Sequence, residues 1–469
     1  MVKTKKNGNL TEGPIFKKIL LFALPIMMTG LLQTLYNMAD NIVVGQFSGD
    51  PNALGSVGST SAINSLILNI IVGISGGAGV VVSHHFGARE EKKVSDAVHT
   101  AMTFSLFLGV LVSVIGLILS RPVLTLIGTK SEYLDGAVLY LSIICLGLPA
   151  SAVCNFAASI LRSVGDSKSP MLILSGAGII NVILNLVFVI LCGMTVDGVA
   201  LATIISQYVS ALLMVAMLMK KKGEAYTFSF KKLGINSAEL KRILRLGIPA
   251  GIQGSLFSLS NVVLTNGVNT FEPAAVTAYT ITNNIDAITF IIINSFQHAT
   301  TTFVGQNFGA KKFDRIKRIV IFALIQVTVC GILVGQLELL FGEQLASLYI
   351  EAGDPNRETI ISTTLVMMNM FLNTYFLCGI MEVLTGTLRG LGFSVSPMIM
   401  TLLGACGFRI LWRFLVFPTE AFNSPTGLLV SFPISWLLTI TMLAITLLFV
   451  WKKIKKQYQK DFTEEKINV

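Results

Sequence analysis

Long apolar stretches dominate the chain, and short polar or charged segments separate them. Each stretch reaches the roughly 20 residues of helix that are needed to cross the ~30 Å hydrocarbon core of a bilayer. Apolar and polar positions do not alternate as they do in the strands of a membrane β-barrel, so we expect helices. The pattern predicts twelve spans, at residues 16–45, 54–83, 96–119, 133–158, 169–191, 198–219, 241–268, 274–305, 316–340, 359–387, 397–417 and 427–451.

Composition places these spans in a membrane protein. Apolar residue types make up 53% of the 469 residues and charged types only 13%, about half of the share that is usual in soluble proteins. A soluble protein of this length needs a charged surface that such a chain cannot supply. We therefore expect an all-α, multi-pass membrane protein, and soluble enzyme folds are excluded.

The positions of the basic residues predict orientation rather than nucleic-acid binding, although the net charge is +10. If both termini are cytoplasmic, 30 of the 35 Lys and Arg residues lie in cytoplasmic segments and three in the opposite loops. Cytoplasmic loops of membrane proteins carry this excess of basic residues. The six cysteines lie in apolar stretches with no metal or disulfide spacing, so we interpret them as buried thiols.

The sequence contains an internal duplication. Three short motifs return at offsets of 222, 227 and 224 residues, and each copy occupies an equivalent place in the order of spans. The pairs are Phe86–Arg89 with Phe308–Lys311, Leu161–Gly165 with Leu388–Gly392, and Leu24-Pro25 with Ile248-Pro249. We therefore predict an N-lobe at 1–219, a cytoplasmic linker at 220–240 and a C-lobe at 241–469. An even number of spans in each half predicts an axis along the membrane normal, with the working site between the lobes.

An acidic residue in the first span is the main functional candidate. Ionisable groups inside spans are costly, so each one is a candidate for function. Asp40 follows Gln33, Tyr36 and Asn37 at helical spacing, which puts the four side chains on one face. Because the first six spans contain no basic residue beyond Lys17 and Lys18 at the cytoplasmic start of span one, Asp40 should be protonated or hold a cation. The alternative is an aspartate at a helix end among lipid headgroups.

Amides and hydroxyls in spans five and six are candidates for the same site. Asn181 and Asn185 form an i, i+4 pair, and Thr203 lies in span six. Such groups can hydrogen-bond a carboxylate or ligate a desolvated cation. They can equally be polar contacts between packed helices.

The second half contains acids together with bases. The estimated depths of Asp286, Arg409 and Arg413 overlap, so we expect a structural charge pair between Asp286 and one of the two arginines, or residues of a substrate cleft. Glu382 lies in the inner half of its span, where it serves an inner gate or reaches the interface. In span one, Pro25 permits a bend and is predicted to be a hinge.

Other chemistries have no signature in the sequence. There is no phosphate-binding G-x-x-x-x-G-K-[ST] loop, no His-Glu-x-x-His motif and no Ser-His-Asp arrangement. We therefore expect no ATP-driven step, no enzyme activity, no cofactor and no metal site apart from Na⁺ at Asp40.

Several motifs resemble those of the multidrug and toxic compound extrusion (MATE) family over nearly the whole chain. They are Pro25, Gln33–Gly45, Phe86–Arg89, Leu161–Pro170 and Gly305–Gly309. The resemblance implies twelve helices in two six-helix lobes that form a V, and export of organic cations in exchange for H⁺ or Na⁺. The family's first-helix carboxylate then corresponds to Asp40. Its fifth-helix Asn and acid correspond to Asn181 and Asn185, so here an amide replaces the acid, and the helix-seven acid of many relatives is absent.

The expected function is therefore a cation-coupled antiporter that works by alternating access, with Asp40 as the coupling-ion carboxylate. We expect a monomer in a bacterial inner membrane that binds small organic cations and no nucleic acid. The nearest alternative is a flippase for lipid-linked saccharides, in which Arg409 and Arg413 would hold a pyrophosphate. A lipid-modifying membrane enzyme is a further alternative, but the sequence offers no cluster of acids, histidines or metal ligands for it.

Overall fold

The computed structural model describes residues 9–221, 223–351 and 353–467, with side chains up to residue 457. These residues are predominantly helical and contain no β-strand. The helices of the first half are α1 (Ile15–Phe47), α2 (Ala53–Gly87), α3 (Glu91–Leu126), α4 (Ser131–Ser163), α5 (Lys168–Leu186) and α6 (Val196–Lys220). Those of the second half are α7 (Ser237–Val268), α8 (Pro273–Gly309), α9 (Phe313–Leu340), α10 (Gly342–Ser347), α11 (Arg357–Leu372), α12 (Tyr375–Gly390), α13 (Val395–Thr401), α14 (Phe408–Leu411), α15 (Pro425–Leu429) and α16 (Ser431–Ile467).

All twelve predicted spans fall on helical segments of the described chain. Ten of these segments are long and apolar enough to cross a bilayer, and the bent pair of α11 and α12 makes an eleventh. The twelfth, α7, is 32 residues long, but its first turns carry Glu239, Lys241 and Arg242. The predicted all-helical membrane fold is confirmed.

Span ten is broken where the sequence predicted one continuous helix. α11 ends at Leu372, α12 begins at Tyr375, and the two are bent by 41°. At the break, Asn373 Nδ2 donates to the carbonyl of Asn369 at 2.7 Å, and Thr374 Oγ1 donates to that of Met370 at 3.2 Å. Side chains that hydrogen-bond to nearby backbone offer it an alternative to the helical ladder. These two side-chain bonds lie at the break and compete there with the backbone ladder of the helix.

Span eleven contains two π-helical segments. Leu402–Gly407 and Trp412–Val416 flank the single α-helical turn of α14, which carries Arg409. A π-helical segment rotates the residues beyond it relative to a regular α-helix, and such segments occur frequently at functional sites. The directions of Arg409 and Arg413 therefore cannot be read from α-helical spacing alone.

The chain forms two compact units. One comprises the chain up to Ser258 together with Thr301–Ile319, and the other comprises Leu259–Thr300 with the chain from Val320 onward. The predicted lobes at 1–219 and 241–469 follow the sequence repeat rather than these contacts, and they remain a prediction.

In the first unit, apolar side chains from α2, α3, α4 and α6 contribute to one core cluster. It includes Val80, Val98, Phe156 and Met214. A smaller cluster joins Val43 and Val44 of α1 to Val199 of α6 and to Val189, which lies in the π-helical turn Val187–Leu191 after α5. This smaller cluster holds the end of α1, and thus Asp40, against the α5 and α6 segments.

Candidate functional site

The four polar side chains predicted to share one face of α1 differ in their exposure. Gln33 and Asn37 are exposed, whereas Tyr36 and Asp40 are partly buried. The Tyr36 hydroxyl donates to the backbone carbonyl of Ser175 on α5 at 3.0 Å. Its ring lies so close to Gly178 that a Cβ there would approach a ring carbon to 1.8 Å. Glycine at position 178 therefore allows α1 and α5 to approach each other beside Asp40.

Asp40 is held by an amide of α5. Asn185 is fully buried, and its Nδ2 donates a hydrogen bond to Asp40 Oδ1. The same Nδ2 lies 3.4 Å from Asn181 Oδ1, and Asn181 Nδ2 donates to Thr203 Oγ1 at 3.4 Å. The structure thus brings Asp40, Asn185, Asn181 and Thr203 into one hydrogen-bonded chain across α1, α5 and α6.

The network retains capacity to bind a small ligand. Asn185 Oδ1 is buried and makes no hydrogen bond with the described part of the protein. Buried polar atoms nearly always have a partner, in the protein or in an ordered water or ion. Together with the Asp40 carboxylate, this amide oxygen provides the hard oxygen ligands that suit a proton or an alkali cation.

The surroundings of Asp40 disfavour a bare charge. Val43, Val44, Val189 and Val199 form the neighbouring apolar cluster, and Tyr140 of α4 packs against it. Of the ion pairs within 4.0 Å between described residues, none involves Asp40. A desolvated carboxylate without a cation is costly. Tyr140, which interacts electrostatically with Asp40, was not among the sequence candidates because nothing in the apolar pattern of span four marks it.

The second unit contains an acid that the sequence analysis missed. Glu338 of α9 is 6% exposed, and its Oε2 accepts a hydrogen bond from Thr289 of α8 at 2.9 Å. Thr289 lies one turn after Asp286, and Asp286 interacts with both Glu338 and Tyr375. Glu338 lies near the end of its apolar stretch, where an acid commonly reaches water, so its position along the span did not mark it as buried.

Arg409 and Arg413 both lie against aromatic rings, and the expected charge pair of Asp286 with one of them stays a prediction. Arg409 is 1% exposed, and its Nε donates to Ser435 Oγ at 2.9 Å. Its guanidinium lies 4.0 Å from the centre of the Phe432 ring. Arg413 lies 4.7 Å from the centre of the Phe417 ring. Cation–π contacts therefore help to accommodate both guanidinium groups inside the protein.

Glu382 does not reach the membrane interface. It is 8% exposed, and its Oε2 accepts a hydrogen bond from Gln297 Nε2 of α8. Of the two interpretations offered for this acid, the interfacial one is excluded, and the inner-gate one remains a prediction.

Comparison with known proteins identifies the family. The MatE family model matches residues 25–187 and 249–415. The chain belongs to the MatE family. The two matched segments correspond to the two copies of the sequence repeat, and together they contain Asp40, the asparagines of α5 and both arginines.

Two curated relatives span almost the full length of this MatE protein. A probable multidrug resistance protein of Bacillus subtilis, YoeA, is 26% identical over 456 residues, which cover 94% of this chain and 96% of the relative. An FAD transporter of Shewanella oneidensis is 24% identical over 441 residues, covering 92% and 94%. A solved structure of a MOP superfamily transporter from Pyrococcus furiosus superposes with a TM-score of 0.88 at 22% identity, covering 98% of this chain and 99% of that one.

Family membership fixes the broad class of activity. MatE proteins are transporters rather than enzymes, so the chain is a multi-pass membrane transporter of the multidrug efflux type. The described residues contain no group of three or more His, Cys, Asp or Glu side chains that could hold a metal ion. In this transporter, the hydrogen-bonded network of Asp40, Asn185, Asn181 and Thr203 is the candidate site for a coupling ion.

Proposed function

We propose that this MatE transporter is an antiporter that exports organic cations in exchange for H⁺ or Na⁺, and that Asp40 binds the coupling ion. One observation carries the proposal: a desolvated carboxylate whose nearest partner is the neutral amide of Asn185, within an apolar cluster. A neutral partner leaves the negative charge available to a proton or a sodium ion. An arginine in the same place would neutralise the carboxylate permanently.

The residues suggest how ion binding alters the helices around Asp40. Without an ion, the Asp40 carboxylate accepts a hydrogen bond from Asn185, which ties α1 to α5. A proton removes the charge that strengthens this bond, since hydrogen bonds to ionised groups are roughly twice as strong as neutral ones. A sodium ion would instead recruit the amide oxygen of Asn185. Either event changes how tightly α1 is held, and alternating access would link that change to release of the organic cation.

Pro25 is the proposed hinge of this movement. In the structure α1 is one continuous helix through Pro25, although proline has no N–H to bond the carbonyl four residues earlier. Thr29 Oγ1 donates to the carbonyl of Pro25 at 2.8 Å. We expect Pro25→Ala to stiffen α1 and to slow transport in reconstituted vesicles. Transport at the wild-type rate would exclude the hinge.

The central test is uptake of a fluorescent organic cation into proteoliposomes under an imposed pH gradient or an imposed Na⁺ gradient. Asp40→Asn should abolish gradient-driven uptake while the protein still folds and inserts. Asp314→Asn is the matched control, because it makes the same chemical change at a side chain that is 95% exposed. Gradient-driven uptake by Asp40→Asn would refute the assignment of Asp40.

The substrate class is tested in the same vesicles. One relative is an FAD transporter, so uptake of FAD is measured beside that of the organic cation. Gradient-driven uptake of FAD without uptake of the cation would overturn the proposed substrate class but leave the role of Asp40 intact.

The flippase alternative gains no support from Arg409. A lipid-linked pyrophosphate would need an accessible guanidinium, whereas Arg409 is buried against Phe432 and Ser435. The orientation with both termini in the cytoplasm, the bacterial inner membrane and the monomeric state remain part of the proposal.

A further inference from the structure

The described residues directly before α1 are hydrogen-bonded to α8 and α9, and two of them are buried. We call Asn9–Gly13 the N-terminal strap. Leu10 is 5% exposed and Thr11 is 8% exposed. Within the strap, Thr11 N donates to Asn9 Oδ1 at 2.9 Å, which forms a local turn. Burial of a short polar segment outside any helix requires partners for its backbone groups.

Side chains at the end of α8 and the start of α9 provide those partners. Leu10 N donates to Gln306 Oε1 at 3.0 Å, and Asn307 Nδ2 donates to the Leu10 carbonyl at 3.3 Å. Lys312 Nζ donates to the Thr11 carbonyl at 3.0 Å. Arg315 donates to the carbonyls of Glu12 at 3.0 Å and Gly13 at 2.9 Å. These side chains of α8 and α9 thus bind the strap through its backbone N–H and carbonyl groups.

The same contacts link the end of α8 to α1 and α4. Lys18 of α1 donates to the carbonyls of Asn9 and Glu12, both at 2.9 Å. Gln306, which accepts from the strap, also donates from Nε2 to the carbonyl of Ser163 at the end of α4, at 2.8 Å. One side chain of α8 therefore bonds both to the strap and to the fourth helix.

The two copies of the repeated Phe-Gly-Ala motif meet beside the strap. A Cβ at Gly87 would lie 2.0 Å from the carbonyl oxygen of Gln306, and one at Gly309 would lie 2.0 Å from that of His84. The residues that follow the motifs, Arg89 and Lys311, have φ angles of 60° and 56°, a conformation that is uncommon for residues with side chains. The ends of α2 and α8 are thus in backbone contact, and the strap covers this junction from the side of α8.

We propose that the N-terminal strap is a latch, which must leave the end of α8 each time the transporter opens on the side where the N-terminus lies. The inference rests on the proposed antiport by alternating access. The sequence repeat assigns Thr301–Ile319 to the second half, whereas its contacts join it to the first. Motion of one repeat against the other must therefore break the bonds of Gln306, Lys312 and Arg315 to the strap. It must also break the bond from Gln306 to the Ser163 carbonyl. If the end of α8 instead moves together with the first repeat, the strap stays bound throughout.

The test measures how fast a cysteine in the strap reacts with N-ethylmaleimide in proteoliposomes. Leu10→Cys is followed by mass spectrometry of its peptide, which separates it from the native cysteines, and Thr11→Cys is the second variant should the first fold poorly. Flux of the organic cation is recorded in the same vesicles. We expect labelling to be about tenfold faster during flux than without substrate. Flux with an unchanged labelling rate would overturn the latch, whereas absence of gradient-driven flux in the wild-type protein would count against the proposed function.

A matched pair of variants tests the contacts themselves. Arg315→Met removes the donor to Glu12 and Gly13 and should make resting Leu10→Cys labelling several-fold faster. Arg318→Met makes the same change of charge one turn later on α9, at an exposed residue that makes no bond to the strap, and should leave labelling unchanged. Equal effects of the two variants, or no effect of Arg315→Met, would contradict the proposed role of these contacts.

Discussion

Replacing Asn185 by Ala tests whether its hydrogen bond controls the ion affinity of Asp40. Asn185 is fully buried and donates to the Asp40 carboxylate. A hydrogen bond to a charged group contributes about 1.5–3 kcal/mol. If the coupling ion is H⁺, the bond stabilises the ion-free carboxylate about twice as much as the protonated one, so its loss should strengthen proton binding by about four- to twelvefold, since 1.4 kcal/mol is a factor of ten.

The direction of the change in Asn185→Ala distinguishes the two ions. For H⁺, half-maximal transport should move to higher pH by about half a unit to one unit. For Na⁺, the variant also loses the amide oxygen that would ligate the ion, so half-maximal transport should require more Na⁺. The assay is cation uptake by proteoliposomes over a series of pH values and Na⁺ concentrations.

Asn155→Ala is the matched control for this experiment. Its Nδ2 donates to the Ser151 carbonyl of its own helix at 2.9 Å, so the substitution removes an amide of α4 without touching Asp40. The ion dependence of transport should then match the wild type. If Asn185→Ala also left both dependences unchanged, the hydrogen bond would have no part in ion binding, and the reasoning from the Asp40 network would fail.

Three further substitutions test local packing by thermal unfolding in detergent. Gly178→Ala should lower the stability by about 1–3 kcal/mol, because its Cβ would meet the Tyr36 ring; an unchanged Tm would show that α1 and α5 can separate freely. Arg409→Lys should lower the Tm by several degrees. An ammonium group cannot reproduce both the planar contact with the Phe432 ring and the hydrogen bond from Nε to Ser435. An unchanged Tm would mean that only the positive charge of Arg409 contributes to stability. Glu90 has a pKa below its ordinary value because of hydrogen bonds from Lys93 and then His85, so its contribution is present above about pH 4.3 and is lost as the pH falls. Glu90→Gln should therefore be less stable by less than ~1 kcal/mol at pH 7, with a difference that vanishes in acid; a difference that grew in acid would contradict the ion pairing.

The spans could be predicted because their signal is local. A run of about 20 apolar residues has few alternatives to a membrane helix, and the repeat supported the order of the spans independently of hydropathy. Hydropathy does not report the side-chain bonds of Asn373 and Thr374 at the break between α11 and α12. The α-helical spacing of Arg409 and Arg413 assumed a regular helix, and the π-helical segments around α14 invalidate that assumption.

The sequence predicted which residues belong to the candidate site, but not which of them hydrogen-bond to one another. Composition and spacing singled out Asp40, Asn181, Asn185 and Thr203, and the structure joins them in one chain of hydrogen bonds. The sequence could not show that Gln33 and Asn37 remain exposed while Tyr36 turns towards α5, because the four polar side chains of α1 share one helix face. Gly178 was equally hidden, since its role depends on how closely α1 approaches.

The two units differ in how their buried acids are partnered, and this difference favours Asp40 as the coupling site. Asp286 interacts with a second carboxylate, Glu338, and with Tyr375. Two carboxylates that close together do not ionise together readily, so they tend to share one proton. With the Tyr375 hydroxyl beside it, such a pair can keep one protonation state throughout the transport cycle. Asp40 instead accepts a hydrogen bond from the neutral amide of Asn185, so under the proposed mechanism its protonation or ion occupancy can change during the transport cycle.

The contrast predicts that Asp286→Asn combined with Glu338→Gln keeps the ion dependence of transport, although the maximal rate can fall. Both replacements retain the shape of the side chains, and the amide oxygen introduced by Glu338→Gln can still accept the hydrogen bond that Thr289 donates to the wild-type carboxylate. Gradient-driven uptake by this double variant is compared with that by Asp40→Asn in the same vesicles. Loss of ion dependence in the double variant, with its retention in Asp40→Asn, would move the coupling site from the first unit to the second.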